Sequence, residues 1–320
     1  MAPLKEHKTH IGGQAVIEGV MMRNRSRIAI AVRQPCGGIA VEKKDFFSFS
    51  DRFPVFKWPI LRGMVAFIEA LVLGVRSISV SAEHALDEEE EELKGWELPL
   101  TVAISLALGV GLFILLPTVL MNWLRQSADS ALLLNLGEGG LRLTIFLSYI
   151  FLISRWKEVG RVFEYHGAEH KAIACYEAGH SLTVDNTREY SPLHRRCGTS
   201  FLLIVMVTSI LLFSFFGWPG VWQRILTRLA LLPLVAGISY EAIKYAGSRD
   251  NLLTRLLSQP GLWLQRLTTR PPRDDQVEVA ISALEAVLPP EERENKAVAA
   301  AEVPEEALEL SEGKQICGTN

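Results

Sequence analysis

Between Glu97 and Arg125 the chain carries no charged residue. As one helix, residues 98–124 can span a bilayer core of about 30 Å. Nothing else in the sequence limits the fold so strongly. Inside lipid every backbone N–H and C=O must bond within the chain, so only helices and closed barrels cross, and Pro117 is tolerated in such a helix. Three more apolar stretches follow. Residues 141–154 form a short one with Arg142 and Arg155 at its ends, where long side chains can snorkel and the bilayer can thin. Residues 200–217 are uncharged. Residues 225–245 end in Glu241 and Lys244, an i,i+3 pair expected either to bond or to let Lys244 reach the interface, since a lone carboxylate near lipid is costly. Hydrophobic residues make up 49% of the chain and concentrate in these blocks. The expected fold is a mainly α integral membrane protein with about four transmembrane helices and a small β-rich N-terminal region.

The remaining segments divide by composition. Residues 1–57 contain short β-branched runs at 14–22 and 28–32 and a Gly37-Gly38 turn signal, and this region carries Glu18. Residues 58–97 are read as an amphipathic helix and an acidic linker. Arg62, Glu69, Arg76 and Glu83 fall seven apart and mark one narrow charged stripe on an apolar cylinder. That pattern fits a helix at the membrane interface or packed on the domain; the competing reading is a span whose stripe faces a polar interior. The acids at 87–92 read as a solvated linker. The membrane domain covers 98–246, and its loop at 155–199 holds Lys157, Arg161, Lys171, Arg188, Arg195 and Arg196. Arg125, Arg142, Arg224 and Arg228 are all that the two outer loops offer. The positive-inside rule then makes the motif loop and both termini cytoplasmic in a multi-pass inner (cytoplasmic) membrane protein. Residues 247–288 are expected to form amphipathic helices, broken at Pro260-Gly261, and 289–320 a disordered acidic tail. The first ten residues lack the apolar core of a signal peptide. The four cysteines show no regular spacing, so reduced thiols are expected. A net charge of −3 gives no pull toward nucleic acid.

The loop contains His166-Gly-Ala-Glu169-His170, an H-x-x-E-H pattern. On a helix, residues three and four apart share a face, so both imidazoles and the carboxylate can point one way. Two histidines so spaced make half a site for Zn²⁺ or another divalent metal. A glutamate beside them is the usual base for metal-activated water. Glu177 shares the azimuth but lies about 10 Å beyond His170 along a helix, too far for the same ion. His194 and Cys197 are the best sources of a third ligand, with Glu18 and the Glu83-His84 pair behind them. The same residues also suit a structural hydrogen-bond network near a membrane. Cys36 and Cys317 have no chemical partner nearby in sequence, and His180 reads as a loop residue.

Four segments together carry a resemblance: residues 11–23 (IGGQAVIEGVMMR), 163–171 (FEYHGAEHK), 194–200 (HRRCGTS) and 259–269 (QPGLWLQRLTT). Across about residues 10–288 the chain resembles the YqhQ-like family of bacterial membrane proteins, labelled predicted metal-dependent enzymes. The resemblance implies site positions at His166, Glu169, His170, His194, Cys197 and Glu18. One departure is visible. Where the family pattern reads His-Pro-Arg-Cys, this chain has His194-Arg195-Arg196-Cys197, which adds a charge and loosens a turn.

Two functions of different class follow. The first is a metal-dependent hydrolase at the cytoplasmic membrane face, with Glu169 as base and His166, His170 and His194 or Cys197 as ligands. The second is a non-catalytic scaffold or regulator whose His/Glu/Cys cluster is structural and whose basic loop binds anionic lipid or a membrane protein partner. A transporter fits less well, because few ionisable groups lie in the expected spans and no inverted repeat is evident.

Overall fold

Alternation of side chains sets the N-terminal region. In the computed structural model, which describes residue 9 and residues 11–85, 96–124, 130–248 and 251–289, four strands form an antiparallel sheet in sequence order. They are β1 (Ile11–Val16), β2 (Gly19–Asn24), β3 (Arg27–Arg33) and β4 (Ile39–Asp45). The acidic run at 87–92, Cys317 and the tail beyond 289 lie outside the described residues.

Both faces of β2 and β3 are buried, because a helical layer covers each. Val20, Met22, Ala29 and Ala31 pack on one side with Tyr165, Ala172 and Ile173 of one helix and Val277, Ala280 and Leu284 of another. Met21, Ile28, Ile30 and Val32 pack on the other side with Leu73 and Val80. A short helix α1 (Phe49–Arg52) and a 3-10 turn (Pro54–Lys57) lead from the sheet to α2 (Leu61–Ala85), which supplies those last two residues.

The second half of α2 therefore lies on the sheet, and Ser81 Oγ accepts from the Ile17 N–H of the β1–β2 turn at 3.2 Å. Its first half crosses a later helix, α9 (Val221–Ser248), at Gly63 and Gly237. A Cβ on Gly63 would sit 2.8 Å from the Gly237 carbonyl oxygen, so the two backbones meet too closely for any side chain. The first half of the charged stripe is used inward, while Arg76 and Glu83 are exposed. Glu69 is buried and accepts from Ser48 Oγ (2.7 Å) and Phe49 N–H (2.8 Å). Arg62 Nε donates to Glu241 Oε1 at 2.6 Å. Arg62 thus takes the Glu241 carboxylate expected to pair with Lys244. The outward face of α2 is apolar, with Ile68, Leu71, Val72, Val75 and Ile78 exposed.

The remaining helices are α3 (Glu97–Val110), a π turn (Gly111–Leu115), α4 (Leu116–Leu124), α5 (Ala131–Ile153), α6 (Lys157–Glu177), α7 (Val184–Arg188), α8 (Gly198–Ser214), α10 (Leu252–Thr268) and α11 (Asp274–Val287). Four helical stretches are long and apolar enough to cross a membrane: Leu61–Ala85, Pro99–Leu124, Ala131–Ile153 and Val221–Ala246, with Gly198–Ser214 shorter. The chain is a membrane protein, and a lipid bilayer is its environment.

Two local expectations change, and a break separates α5 from α6. The helix expected over 141–154 begins at Ala131, because Glu138 and Arg142 bond inside the bundle and do not mark its edge. The chain does not run as one helix from the bundle to Ala178. It breaks at Trp156, whose ψ of 137° is extended, while the Arg270 guanidinium caps the end of α5 at the Ser154 carbonyl. Finally, α10 continues through Pro260. The π turn has its own cause. Pro117 has no N–H to give the Phe113 carbonyl four residues back, and Arg142 Nε donates to that oxygen at 2.9 Å.

Candidate metal centre

Helical spacing puts His166, Glu169 and His170 on one face of α6, as the sequence requires. Neighbouring elements decide what each can do. The Nδ1 of His166 lies 2.8 Å from the Thr268 carbonyl oxygen, and the Nδ1 of His170 lies 2.6 Å from that of Pro192. A carbonyl only accepts, so in both rings Nδ1 carries the proton and donates. A neutral imidazole so held presents its Nε2 lone pair, the arrangement typical of metal-binding histidines. The Thr268 carbonyl is available because Thr268 ends α10, and the last carbonyls of a helix have no partner within it.

The two rings sit 4.4 Å apart between centroids. Cys197 completes the group: its Sγ lies 3.1 Å from His166 Nε2. Donor atoms of His166, His170 and Cys197 all fall within 4.8 Å of one another. Zinc bond lengths in tetrahedral geometry put ligand atoms roughly 3.3–3.6 Å apart, so a small side-chain adjustment fits these three to one ion. The donor set of two imidazoles and a thiol suits zinc. Cys197 is the N-cap of α8, and the Thr199 N–H donates to its sulfur at 3.4 Å. His170 is buried, which lowers its imidazole pKa and keeps it neutral, as a ligand must be; its contacts with Cys197 oppose that effect.

Glu169 is outside this trio but beside it. Its side chain is 5% exposed and packs on Gly13 of β1. Burial pushes its carboxyl above the usual carboxylate range, against the opposing pull of His166, His194 and the Gly13 N–H. A Cβ on Gly13 would lie 2.9 Å from Glu169 Cδ and 2.7 Å from the Met21 carbonyl oxygen, so glycine is required there. Glu169, His166, His170, His194 and Cys197 line one cavity of about 480 Å³ with Gly13 and Thr199. A second cavity of about 630 Å³ shares Gly12, Gly13, Gln14 and Ala70 with it, and Arg23, Arg25, Lys57 and Arg62 line its wall.

His194 lies one layer out. Its ring centroid is 5.6 Å from that of His170, and its Nε2 is 3.9 Å from Glu177 Oε2. Glu177 also bonds the Arg196 guanidinium and accepts from Thr9 N–H (2.9 Å) and Thr9 Oγ1 (2.7 Å). Despite the cost of burial, the bonds from His194, Arg196 and Thr9 hold its carboxyl at about 2. Gln265 fixes the His194 backbone from α10. Its Oε1 accepts from His194 N–H and its Nε2 donates to His194 O, both at 2.8 Å.

The other expected residues are elsewhere. Glu18 sits in the β1–β2 turn with φ +49° and bonds Arg161 and, at 3.3 Å, the Tyr165 hydroxyl. Glu83 and His84 are at the end of α2, outside the cavity lining. His180 bonds the Tyr190 hydroxyl. Among the described residues, Cys36, Cys175 and Cys197 form no disulfide. Gly13, Pro192, Gln265 and Thr268 carry roles that residue chemistry alone did not reveal. Three of them lie inside the segments 11–23 and 259–269 singled out above.

Apolar helices in a bundle, with a layered α/β unit at one end holding a buried His/Glu/Cys cluster, define the class of this membrane protein. The chain belongs to the family described as "Protein of unknown function (DUF1385)", which matches residues 58–290. It is similar to "Uncharacterized protein YqhQ" of Bacillus subtilis (strain 168), at 36% identity over 298 residues, covering 87% of this chain and 92% of that protein. No solved structure matches the chain.

Proposed function

We propose that this protein is a metal-dependent hydrolase acting at the membrane surface. One observation carries the reading: both imidazoles spend Nδ1–H on a carbonyl, so two Nε2 lone pairs and the Cys197 sulfur converge beside a buried carboxylate in a cavity. His166, His170 and Cys197 would hold Zn²⁺ or a similar divalent ion. Three protein ligands leave a position open, as catalytic zinc sites do. A metal held there would supply Lewis acidity and would acidify a water for attack. Glu169 takes the proton of the attacking water, and its raised pKa suits a base that must later return that proton to the leaving group. The cavity that shares the Gly12–Gln14 wall sets Arg23, Arg25, Lys57 and Arg62 against Asp51 and Glu69, and this excess of positive side chains favours an anionic substrate, such as a phosphorylated metabolite or a lipid head group.

We infer that the site faces the cytoplasm. The sheet, α6 and α11 share one core, so an even number of crossings must separate each of them along the chain. The α3–α4 stretch with α5 gives two, and α8 with α9 gives two. If α2 crossed as well, the sheet and α6 would lie on opposite sides. Arg142, Arg224 and Arg228 are buried in the bundle and leave the outer loops poorer still in positive charge, which favours the same orientation.

Metal analysis of the purified protein tests the hydrolase reading. About one equivalent of metal is expected, lost in His166→Ala, His170→Ala and Cys197→Ser. A folded, metal-free wild type that restores growth to a deletion strain would refute it. So would three variants that all unfold while wild type binds no metal, the pattern of a purely structural cluster.

A further inference from the structure

A third cavity, of about 300 Å³, lies between α2 and the segment that leads into it. Phe49, Phe56, Leu61, Met64, Val65 and Ile68 line it, and Glu69 is its one polar wall residue. Glu69 also lines the cavity of about 630 Å³ that holds the arginines and Lys57, so the two meet at this side chain. Its carboxylate accepts from Ser48 Oγ and the Phe49 N–H, which fixes α1 on α2 and keeps the apolar cavity shaped. The basic cavity in turn meets the His/Cys cavity at Gly12, Gly13, Gln14 and Ala70. Three of those four carry a methyl group or less, and a Cβ on Gly12 would meet nothing within 4 Å. The compartments therefore follow one another: apolar, basic, His/Cys-lined.

The apolar compartment stands beside lipid. α2 crosses α9, a helix long enough to span the bilayer, at Gly63 and Gly237, so this end of α2 lies against the bundle. Phe49 and Ile68 of the cavity wall are 61% and 53% exposed. Phe53 stacks on Phe49 with ring centroids 6.2 Å apart, and Trp58 follows it, both exposed. Aromatic rings so exposed beside a span suit the bilayer surface. In the basic compartment Glu241 holds Arg62, and Glu69 stands 3.7 Å from Arg23. Arg25 and Lys57 are exposed there and make no ion pair among the described residues.

We propose that the substrate of the His/Cys site is an anionic phospholipid taken from the bilayer. An acyl chain occupies the apolar cavity, the phosphate sits against Arg25 and Lys57, and the head group points to the His/Cys cavity. A chain that leaves lipid for this cavity exchanges one apolar surrounding for another and enters at little cost. A soluble phosphorylated metabolite would leave the same cavity unfilled. The phosphate gains charge-assisted hydrogen bonds from a guanidinium fork and an ammonium group. The proposal rests on the hydrolase reading for its chemistry, whereas the binding it describes needs no metal.

The test uses the full-length protein in neutral detergent, stripped of lipid and metal. Phosphatidylglycerol and phosphatidylcholine are titrated by native mass spectrometry and glycerol 3-phosphate by calorimetry. Phosphatidylglycerol with a photoreactive group near the end of an acyl chain locates that chain by peptide mapping. Wild type is expected to bind phosphatidylglycerol more tightly than either other probe and to crosslink within residues 49–68. The double variant Arg25→Gln/Lys57→Gln should weaken phosphatidylglycerol roughly tenfold or more and bring it level with phosphatidylcholine. Ile68→Trp should fill the cavity and suppress the crosslink. All three positions are exposed, so the variants should fold. Equal binding of the two lipids by wild type overturns the proposal. So does glycerol 3-phosphate bound as tightly as phosphatidylglycerol, which makes the substrate a soluble metabolite, or a crosslink that survives in folded Ile68→Trp. Selective lipid binding by a protein that takes up no zinc would support the lipid site and refute the hydrolase reading. A zinc-loaded protein without lipid preference would do the reverse.

Discussion

Glu177 offers the most direct quantitative test of how the loop of residues 189–197 is held. Its carboxylate ties the end of α6 to Arg196, His194 and Thr9, and those bonds lower its pKa from 4.5 to about 2. A shift of that size corresponds to roughly 3 kcal/mol at ~1.4 kcal/mol per unit. The side chain is half-buried, so solvent screening should reduce what Glu177→Gln costs to about 1–2 kcal/mol. The pH dependence has a definite sign. The folded carboxyl titrates below its ordinary value, so its contribution is complete above pH 4.5 and fades as pH falls toward 2. Thermal unfolding in detergent at pH 7, 5, 4 and 3 should show wild type above the variant at pH 7 and 5, with the gap shrinking at 4 and 3. Arg196→Gln should reproduce most of the loss, and the double variant should cost less than the sum, because the two remove one interaction. A gap that stays constant from pH 7 to pH 3 would refute the charge-based account. A gap that widens on acidification would reverse its sign.

Glu169→Gln keeps the size of the side chain and removes the proton acceptor. It should leave metal content near wild type while activity, read by complementation until a substrate is known, falls on the order of 10²–10⁴-fold; an abundant, metal-loaded and fully functional variant would exclude Glu169 as the base. Gly13→Ala places a methyl 2.9 Å from Glu169 Cδ, so it should destabilise by ~1–3 kcal/mol and depress activity more than metal content, whereas a silent Gly13→Ala would show that the contact is not needed. Gln265→Leu strips both backbone bonds from His194; metal affinity should drop about 10–100-fold, and an unchanged affinity would show that the Gln265 clamp is not needed by the site. A cysteine label at position 180 should react only from the cytoplasmic side, and labelling from outside the cell would reverse the proposed topology.

What the sequence made legible follows its periodicities. The two-residue period places Met21, Ile30 and Val32 on one sheet face and Val20, Met22 and Ala31 on the other, although their burial on both sides depends on α2 and α11, which no local pattern joins to them. The helical period put His166, Glu169 and His170 together. That the Cys197 sulfur and not the His194 ring stands with His166 and His170 was not legible, because it depends on Glu177 taking His194 and on Cys197 capping α8. Arg224, Arg228 and Arg142 read as boundary residues, since hydropathy reports charge but not its partner. Arg142 is one helical turn from Glu138, but only the fold brings Arg224 and Arg228 to it. Similarly, the stripe on α2 was visible at seven-residue spacing, but the sheet that covers Leu73 and Val80 and the Glu241 that meets Arg62 lie far away in sequence.

The candidate centre depends on both halves of the molecule. α6 and β1 supply His166, His170, Glu169 and Gly13 from the layered unit beside the bundle. The carbonyl that orients His166 ends α10, and the sulfur caps α8. α8 and α10 are joined where Gln265 Nε2 donates to Ser200 Oγ at 3.0 Å and where Gly261 packs on Ser200. A shift of α10 along α8 would withdraw the Thr268 carbonyl from His166 Nδ1. The ring would then lose the bond that keeps its proton on Nδ1, and the lone pair would no longer be held toward Cys197. The same shift would pull Gln265 from the His194 backbone and loosen the turn that brings Cys197 into place. The geometry of the His/Cys cluster is therefore set by helix packing in the bundle as well as by the motif on α6. The layered unit alone, without α8 and α10, lacks the thiol, the Thr268 carbonyl and the Gln265 clamp that the centre requires.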